Sequence, residues 1–163
     1  MHYVDAAHRL CYYMPMLVLY VDGDACPVKT EALQVAERHD MQVYIVSNSG
    51  LRPVANPKVQ MVLVDAGADA ADDWIAERIS TGDVAVTADI LLADRCLKAG
   101  GKVLSPYGKP FTEANIGQAV AGRSVSAHLR EMGGVSYNPS FGKQDRSRFL
   151  QELENMIQSI KRQ

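Results

Sequence analysis

The strongest constraint on the fold is a repeating alternation. Short runs of β-forming apolar residues are separated by segments of about ten residues with helical spacing. LVLYV (17–21), QVYIV (42–46), VQMVLV (59–64), DVAVTA (83–88) and KVLS (102–105) read as five strands by length and composition. Between them, Val28, Ala32, Val35 and Ala36 recur at helical spacing over 28–39, as do Ala71, Ile75 and Ile79 over 69–80. A third helix is predicted over 90–99 and ends at Gly100-Gly101, a C-terminal stop signal. Strands that alternate with helices this way predict a mostly parallel sheet covered by helices on both faces.

Beyond residue 105 the pattern turns helical. One helix is predicted from Thr112 to about Met132. Another runs over 146–161, with Phe149, Leu153, Met156, Ile157 and Ile160 on one face. The loop GGVSYNPSFGKQ lies between them. With 163 residues and 47 % hydrophobic composition, the chain is long enough for one domain with a real core. The expected organisation is a single α/β domain over 16–163. Residues 1–15 have no clear period and form an N-terminal extension outside it, with Met16 just before the first strand. No apolar run reaches the roughly 18–20 residues that cross a bilayer, so no membrane partner is expected. Cys11, Cys26 and Cys96 are widely spaced and odd in number. They argue against a disulfide framework or a structural zinc site and fit a reducing cytoplasm.

The net charge of −2 hides an asymmetry. Residues 1–94 carry six basic and fourteen acidic side chains; residues 95–163 carry eleven and five. That suits a metal-binding half beside a phosphate-binding half, although a solvated helical face also accounts for the basic part.

In open parallel sheets ligands bind beyond the carboxyl ends of the strands, and the acids fall there. Asp22 and Asp24 follow the first strand, Asp65 the third and Asp89 the fourth. Asp69, Asp72 and Asp73 open the following helix at i, i+3, i+4 and share a face. Each alone has a plain explanation as a cap or turn residue. Jointly, three strand ends deliver carboxylates to one sheet edge, where they repel one another unless a cation intervenes. Hard Mg²⁺ or Mn²⁺ takes oxygen ligands and suits in-line phosphoryl displacement. Thr87 is placed to bond an acid or a water, and Lys29 and Arg52 to meet substrate phosphate. Cys26 reads as packing or turn structure. His2, His8, His39 and His128 form no ligand pair.

VDGDACPVK (21–29), GADAADDWI (67–75) and GDVAVTADILLA (82–93) resemble the YaiI/YqxD family, also called UPF0178 or DUF188. The resemblance spans about residues 16–150 and extends to SPYGKPFTEANI, L-R-x-x-G-G (129–134) and DRSRF (145–149). Gly23 departs from the family's usual Ala, and Asn138-Pro139 from its common Gly-Pro. That family is grouped with PIN-like nucleases. The grouping implies a Rossmann-like, PIN-like three-layer fold with C-terminal helices, and an acid cluster holding Mg²⁺ or Mn²⁺ for RNA cleavage. Asp22, Asp72 and Asp89 match the PIN-like acids, with Thr87 in a T-x-D element. Asp24 and Asp69 match acids of the YaiI/YqxD family itself, as further ligands.

The leading expectation is a metal-dependent ribonuclease. RNA would be its partner, and a homo-oligomer is compatible because PIN-like domains often dimerise. Asn48, Arg52, Arg123 and Arg130 are further candidates for substrate contact. An alternative is a phosphatase of the haloacid dehalogenase type, which VDGDAC and VSNSG resemble. There Asp22 is the nucleophile and Asp24 the general acid/base. A non-catalytic nucleic-acid-binding protein is the third reading. The modest net charge and the lack of an aromatic-rich basic stripe weigh against it.

Overall fold

The computed structural model describes residues 16–131 and 141–163, apart from residues 25, 51 and 68 and the side chains of residues 123–131. The 1–15 extension and most of the 133–144 loop lie outside the described residues. The elements in chain order are β1 (Val18–Asp22), α1 (Lys29–Arg38), β2 (Gln42–Ser47), β3 (Val59–Leu63), α2 (Ala70–Arg78) and β4 (Val84–Val86). They continue with α3 (Ile90–Lys98), β5 (Lys102–Leu104), β6 (Pro110–Phe111), α4 (Glu113–Glu131) and α5 (Lys143–Lys161).

The strands form one sheet in the order β3-β2-β1-β4-β5-β6. All pairings are parallel except β5 with β6. β1 is central: Val21 stands opposite Ile45 of β2 on one side and Val86 of β4 on the other. The chain runs outward from β1 to β2 and β3, then returns to place β4 on β1's other side. The sheet therefore has a switch point between β1 and β4, as in Rossmann-like folds.

Alternation along each strand divides the core into two layers. Leu19, Val21, Val43, Ile45, Val84 and Val86 face Ala32, Val35 and Ala36 of α1 and Phe149, Leu153 and Ile157 of α5. Tyr20, Val46, Ala85 and Val103 face Ile75 of α2, Leu92, Ala93 and Cys96 of α3 and Ile116 of α4. The i, i+4, i+8 stripe of α5 is buried completely. Each of those three side chains contributes roughly 1.5–3 kcal/mol of apolar burial, so α5 is part of the core. On the opposite face Tyr20 stacks on Tyr44 at 5.6 Å, and Trp74 closes over both.

The mostly parallel, helix-covered sheet and the C-terminal helices agree with the sequence expectation. The five expected strands are present, with the fourth shortened to three residues. Asp83, ahead of it, is instead bound to Ser80 N–H and Oγ. The antiparallel β6 was not expected, because two residues carry no period. It forms because the chain reverses at Gly108, whose φ is +79°. A Cβ there would come within 2.8 Å of the Arg148 and Phe149 backbone. α5 starts at Lys143, three residues before the predicted start, where Asp145 Oδ2 accepts from Gly142 N–H at 2.9 Å. Among the described residues no helix is long and apolar enough to cross a membrane.

Candidate active site at the carboxyl ends of β1 and β4

Register builds the centre of the site. Val21 and Val86 pair across β1 and β4, so the next residues, Asp22 and Thr87, emerge side by side. Thr87, 2 % exposed, donates from Oγ1 to Asp22 Oδ2 at 3.0 Å. The same oxygen accepts the Asp89 N–H at 3.0 Å. Asp89 in turn caps α3: its Oδ1 accepts from Leu91 N–H at 2.9 Å and Leu92 N–H at 3.1 Å.

Asp22 is half-buried. Burial pushes its carboxyl above the ordinary aspartate range. The Thr87 bond opposes that shift, and the Asp24 and Asp89 charges add to it. Asp72, in the first turn of α2, is pushed up to about 6, first by burial and then by Asp89, Asp22 and Asp69, with Arg95 acting the other way. Asp22, Asp24, Asp69, Asp72 and Asp89 therefore share one field. Asp69 and Asp73 are exposed. Asp69 precedes α2 without a side-chain cap bond, and Asp73 pairs with Arg95 of α3 at 2.7 Å. The acids that open α2 are thus divided between the site and a surface ion pair. Asp65, after edge strand β3, is exposed.

Asp24 is held from β2. Ser47 Oγ, at the end of that strand, donates to Asp24 Oδ1, and Asn48 N–H donates at 3.1 Å to Oδ2. Ser49 Oγ adds a longer contact of 3.4 Å. Two clefts adjoin there. One, of about 320 Å³, is lined by Asp22, Asp24, Cys26, Ala88, Asp89 and Pro106. The other, of about 670 Å³, is lined by Gly23, Asp24, Cys26, Pro27, Lys29, Asn48 and Ser49. Arg146 of α5 braces the Pro27 side of the larger cleft. Its Nη1 donates to Pro27 O and to Glu31 Oε1, each at 2.9 Å.

Asp22, Asp24, Thr87 and Asp89 are thus gathered at one sheet edge with Asp72 in electrostatic reach, and Lys29 and Asn48 line the adjoining cleft. Arg52 is exposed and lines neither cleft. The side chains of Arg123 and Arg130, on α4, lie outside the described residues. Sequence reasoning missed Arg95, which nothing local connects to the acids of α2. It also missed Ser47 and Ser49 as partners of Asp24, although SNSG closing the neighbouring strand was a usable sign. DRSRF likewise held the signal for Arg146, without its target.

The donor chemistry fits a hard divalent cation. The carboxylates supply only oxygen, and burial, with mutual repulsion added, pushes Asp22 and Asp72 toward protonation, a cost that a cation offsets. The side chains as placed are not closed around an ion: among the described residues no three His, Cys, Asp or Glu groups form a set able to hold a metal. Asp89 Oδ1 is engaged with α3, and Asp24 with β2. Ligation at this edge therefore requires side-chain reorientation.

Comparison with known proteins agrees with the motifs. Residues 20–159 match the family model described as "Uncharacterized BCR, YaiI/YqxD family". A UPF0178 protein of Rhizobium meliloti (strain 1021) is 55 % identical over 146 residues, covering 89 % of this chain and 100 % of that relative. UPF0178 proteins of Caulobacter vibrioides (strain NA1000 / CB15N) and Parvibaculum lavamentivorans are each 53 % identical. They cover 88 % and 90 % of this chain, and 95 % and 97 % of their own lengths. No solved structure matches. Motifs, family model and relatives agree that the chain belongs to the YaiI/YqxD family.

Proposed function

We propose that this protein is a metal-dependent nuclease that hydrolyses phosphodiester bonds in RNA, with Asp22, Asp72 and Asp89 as its central carboxylates. The observation that carries the reading is the shared field of these three groups at the β1/β4 switch point. Two of them are half-buried and raised first by that burial and then by their neighbours' charge. Carboxylates perturbed by burial and by one another's charge, one of them lining a cleft, make a functional-site candidate.

In this reading Asp22, Asp72 and Asp89 hold Mg²⁺ or Mn²⁺, with Asp24 and Asp69 as further ligands or supports. Bound there, the ion supplies an acidified water and neutralises charge on the displaced oxygen. Thr87 fixes the Asp22 carboxylate against rotation through its 3.0 Å bond. Asp24, which accepts from donors at the end of β2, ties the loop after β1 to that strand end. Lys29 and Asn48 contact the substrate backbone, and Arg52, Arg123 and Arg130 are assigned to its flanks.

The test is Mn²⁺ calorimetry on the wild type, Asp22→Asn and Asp89→Asn, followed by cleavage of labelled RNA pools. Binding in the wild type, lost in both variants together with cleavage, supports the reading. A wild type that binds no Mn²⁺ at millimolar concentration removes the mechanism and leaves a binding protein.

A phosphatase reading draws on Ser47, which ends β2 beside the D-x-D loop. Against it, Asp24 accepts from Ser47, Asn48 and Ser49, an arrangement suited to an acceptor rather than a proton donor. Mass-spectrometric capture of a phosphoryl group on Asp22, absent in Asp22→Asn, would favour it.

A further inference from the structure

We propose that the ring of Tyr107, beside the carboxylate cleft, is a stacking position for an unpaired nucleobase of the bound strand. The inference rests on the nuclease reading and adds a base contact to it. Tyr107 belongs to the SPYGKP segment, of which the carboxylate cleft uses only Pro106 as lining.

The turn accounts for the residues around Tyr107 and not for the ring itself. Gly108 N–H donates to Ser105 O at 3.0 Å, so Pro106 and Gly108 stand at the second and fourth positions of a turn, where each is favoured. Gly108 has a φ of +79° and no room for a Cβ against α5. Ser105 N–H donates to Lys109 O at 2.9 Å, and Ser105 Oγ accepts from Lys109 N–H at 3.2 Å. The third position, held by Tyr107, accepts most residues. Ser105, Pro106 and Gly108 are buried, whereas Tyr107 is 39 % exposed and is the one exposed aromatic among the described residues.

Two separate connections place that ring at the site. Along the chain, its neighbour Pro106 lines the cleft together with Asp22, Asp24 and Asp89. Through contacts, Tyr107 meets Phe141 at 5.4 Å with the ring planes 64° apart, and the Arg146 guanidinium lies 4.9 Å over Phe141. Arg146 then donates to the carbonyl of Pro27, which lines the larger cleft. Exposed apolar side chains also concentrate at this edge of the sheet. Of the four large ones among the described residues, Leu63 ends β3, Leu91 follows Asp89 by two residues and Tyr107 follows β5. Only Met16, before β1, is at the opposite edge. Scattered singly they would need no explanation. Gathered at the edge that carries the carboxylates, they suit a ligand with flat apolar groups joined to phosphate. A nucleobase is such a group, and every base has a π-face. Phe141 and the turn already fix the Tyr107 ring, so little freedom is lost when a base stacks on it.

The test is an abasic scan. A labelled oligouridylate and the matching DNA strand are each made with one position at a time lacking its base, and binding is measured in Ca²⁺ and in EDTA. The proteins are the wild type, Tyr107→Ala, Tyr107→Phe and Met16→Ala, which removes a remote exposed side chain. Tyr107→Ala should weaken binding of the intact strand about tenfold, within the range of one base–aromatic stack. Its slope of log K against log salt should not change, because no phosphate contact is lost. Tyr107→Phe and Met16→Ala should follow the wild type. One abasic position should weaken the wild type to the same degree and have no further effect on Tyr107→Ala. A turn merely loosened by the substitution does not produce that non-additivity at a single position. Coupling with both polymers identifies the base as the ligand; coupling with one alone names that polymer as its source. Additive losses at every position overturn the proposal, as do unchanged binding by Tyr107→Ala and a wild type that binds neither strand in either buffer. If the coupling is found but Mn²⁺ binding and cleavage are absent, the stacking position stands and the nuclease reading falls. Metal-dependent cleavage with additive losses throughout has the opposite meaning.

Discussion

Thr87 donates its hydroxyl to Asp22 across the β1–β4 pair, at 3.0 Å and 65 residues away in sequence. The same oxygen accepts the N–H of Asp89. One buried threonine thus ties the end of β1 to the turn that opens α3.

Thr87→Val keeps the shape and removes both bonds. Two groups lose a partner at a site 2 % exposed, at a cost of about 1–3 kcal/mol. The expected result is a lower urea midpoint at unchanged m-value. The Asp22 pKa should also rise further, since the hydroxyl is what holds it down. Thr87→Ser should recover most of both. Denaturation curves with carboxyl-carbon NMR titration read the two effects separately.

Asp89 has two roles that substitution can split. Asp89→Ala removes the α3 cap and should cost about 0.5–2 kcal/mol. Asp89→Asn keeps a capping oxygen, so its stability should fall much less. Both remove a charge that raises Asp72, so the Asp72 pKa should drop below its value of about 6 in each. An NMR titration in which Asp72 does not move would show that the two carboxylates are not coupled.

The raised Asp72 pKa sets a direction for stability against pH. The folded chain holds this proton more tightly than the unfolded chain. Its contribution is fully present below the ordinary aspartate value of 3.8 and is lost as pH rises through about 6. Asp72→Asn should therefore be more stable than the wild type at neutral pH, with the advantage shrinking toward pH 4. The difference between the two urea-midpoint profiles isolates Asp72 from Asp22 and Asp83, which shift in the same direction. Saturating Mn²⁺ should narrow that difference at neutral pH by stabilising the wild type alone.

Arg146 joins α5 to the start of α1. Glu31, 14 % exposed at its side chain, receives Arg146, and its other oxygen is buried with no hydrogen-bond partner among the described residues. Arg146→Ala leaves that carboxylate unmatched and should cost about 1–3 kcal/mol. It should also release the Pro27 carbonyl and so loosen the Pro27 side of the larger cleft. Faster amide exchange around residues 26–31, without a matching change in α3, would confirm that the effect is local.

The elements themselves were readable from local pattern. Leu19 with Val21, or Phe149 with Leu153 and Ile157, announce a strand or a helix face by spacing alone, because burial selects apolar residues at the period of the backbone. The acids at strand ends were readable for the same reason. The arrangement of those elements was not. That β4 returns to lie beside β1, setting Asp22 next to Thr87, depends on strand pairing between residues 65 apart. No local period encodes such pairing. The same holds for Arg95 meeting Asp73 across two helices and for Arg146 reaching Pro27 from the far end of the chain. β6 escaped because two residues carry no pattern and exist as a strand only through β5. Local composition thus selected the helices and strands and their buried faces. The packing of the whole chain chose which strand ends became neighbours, and so which carboxylates share one field.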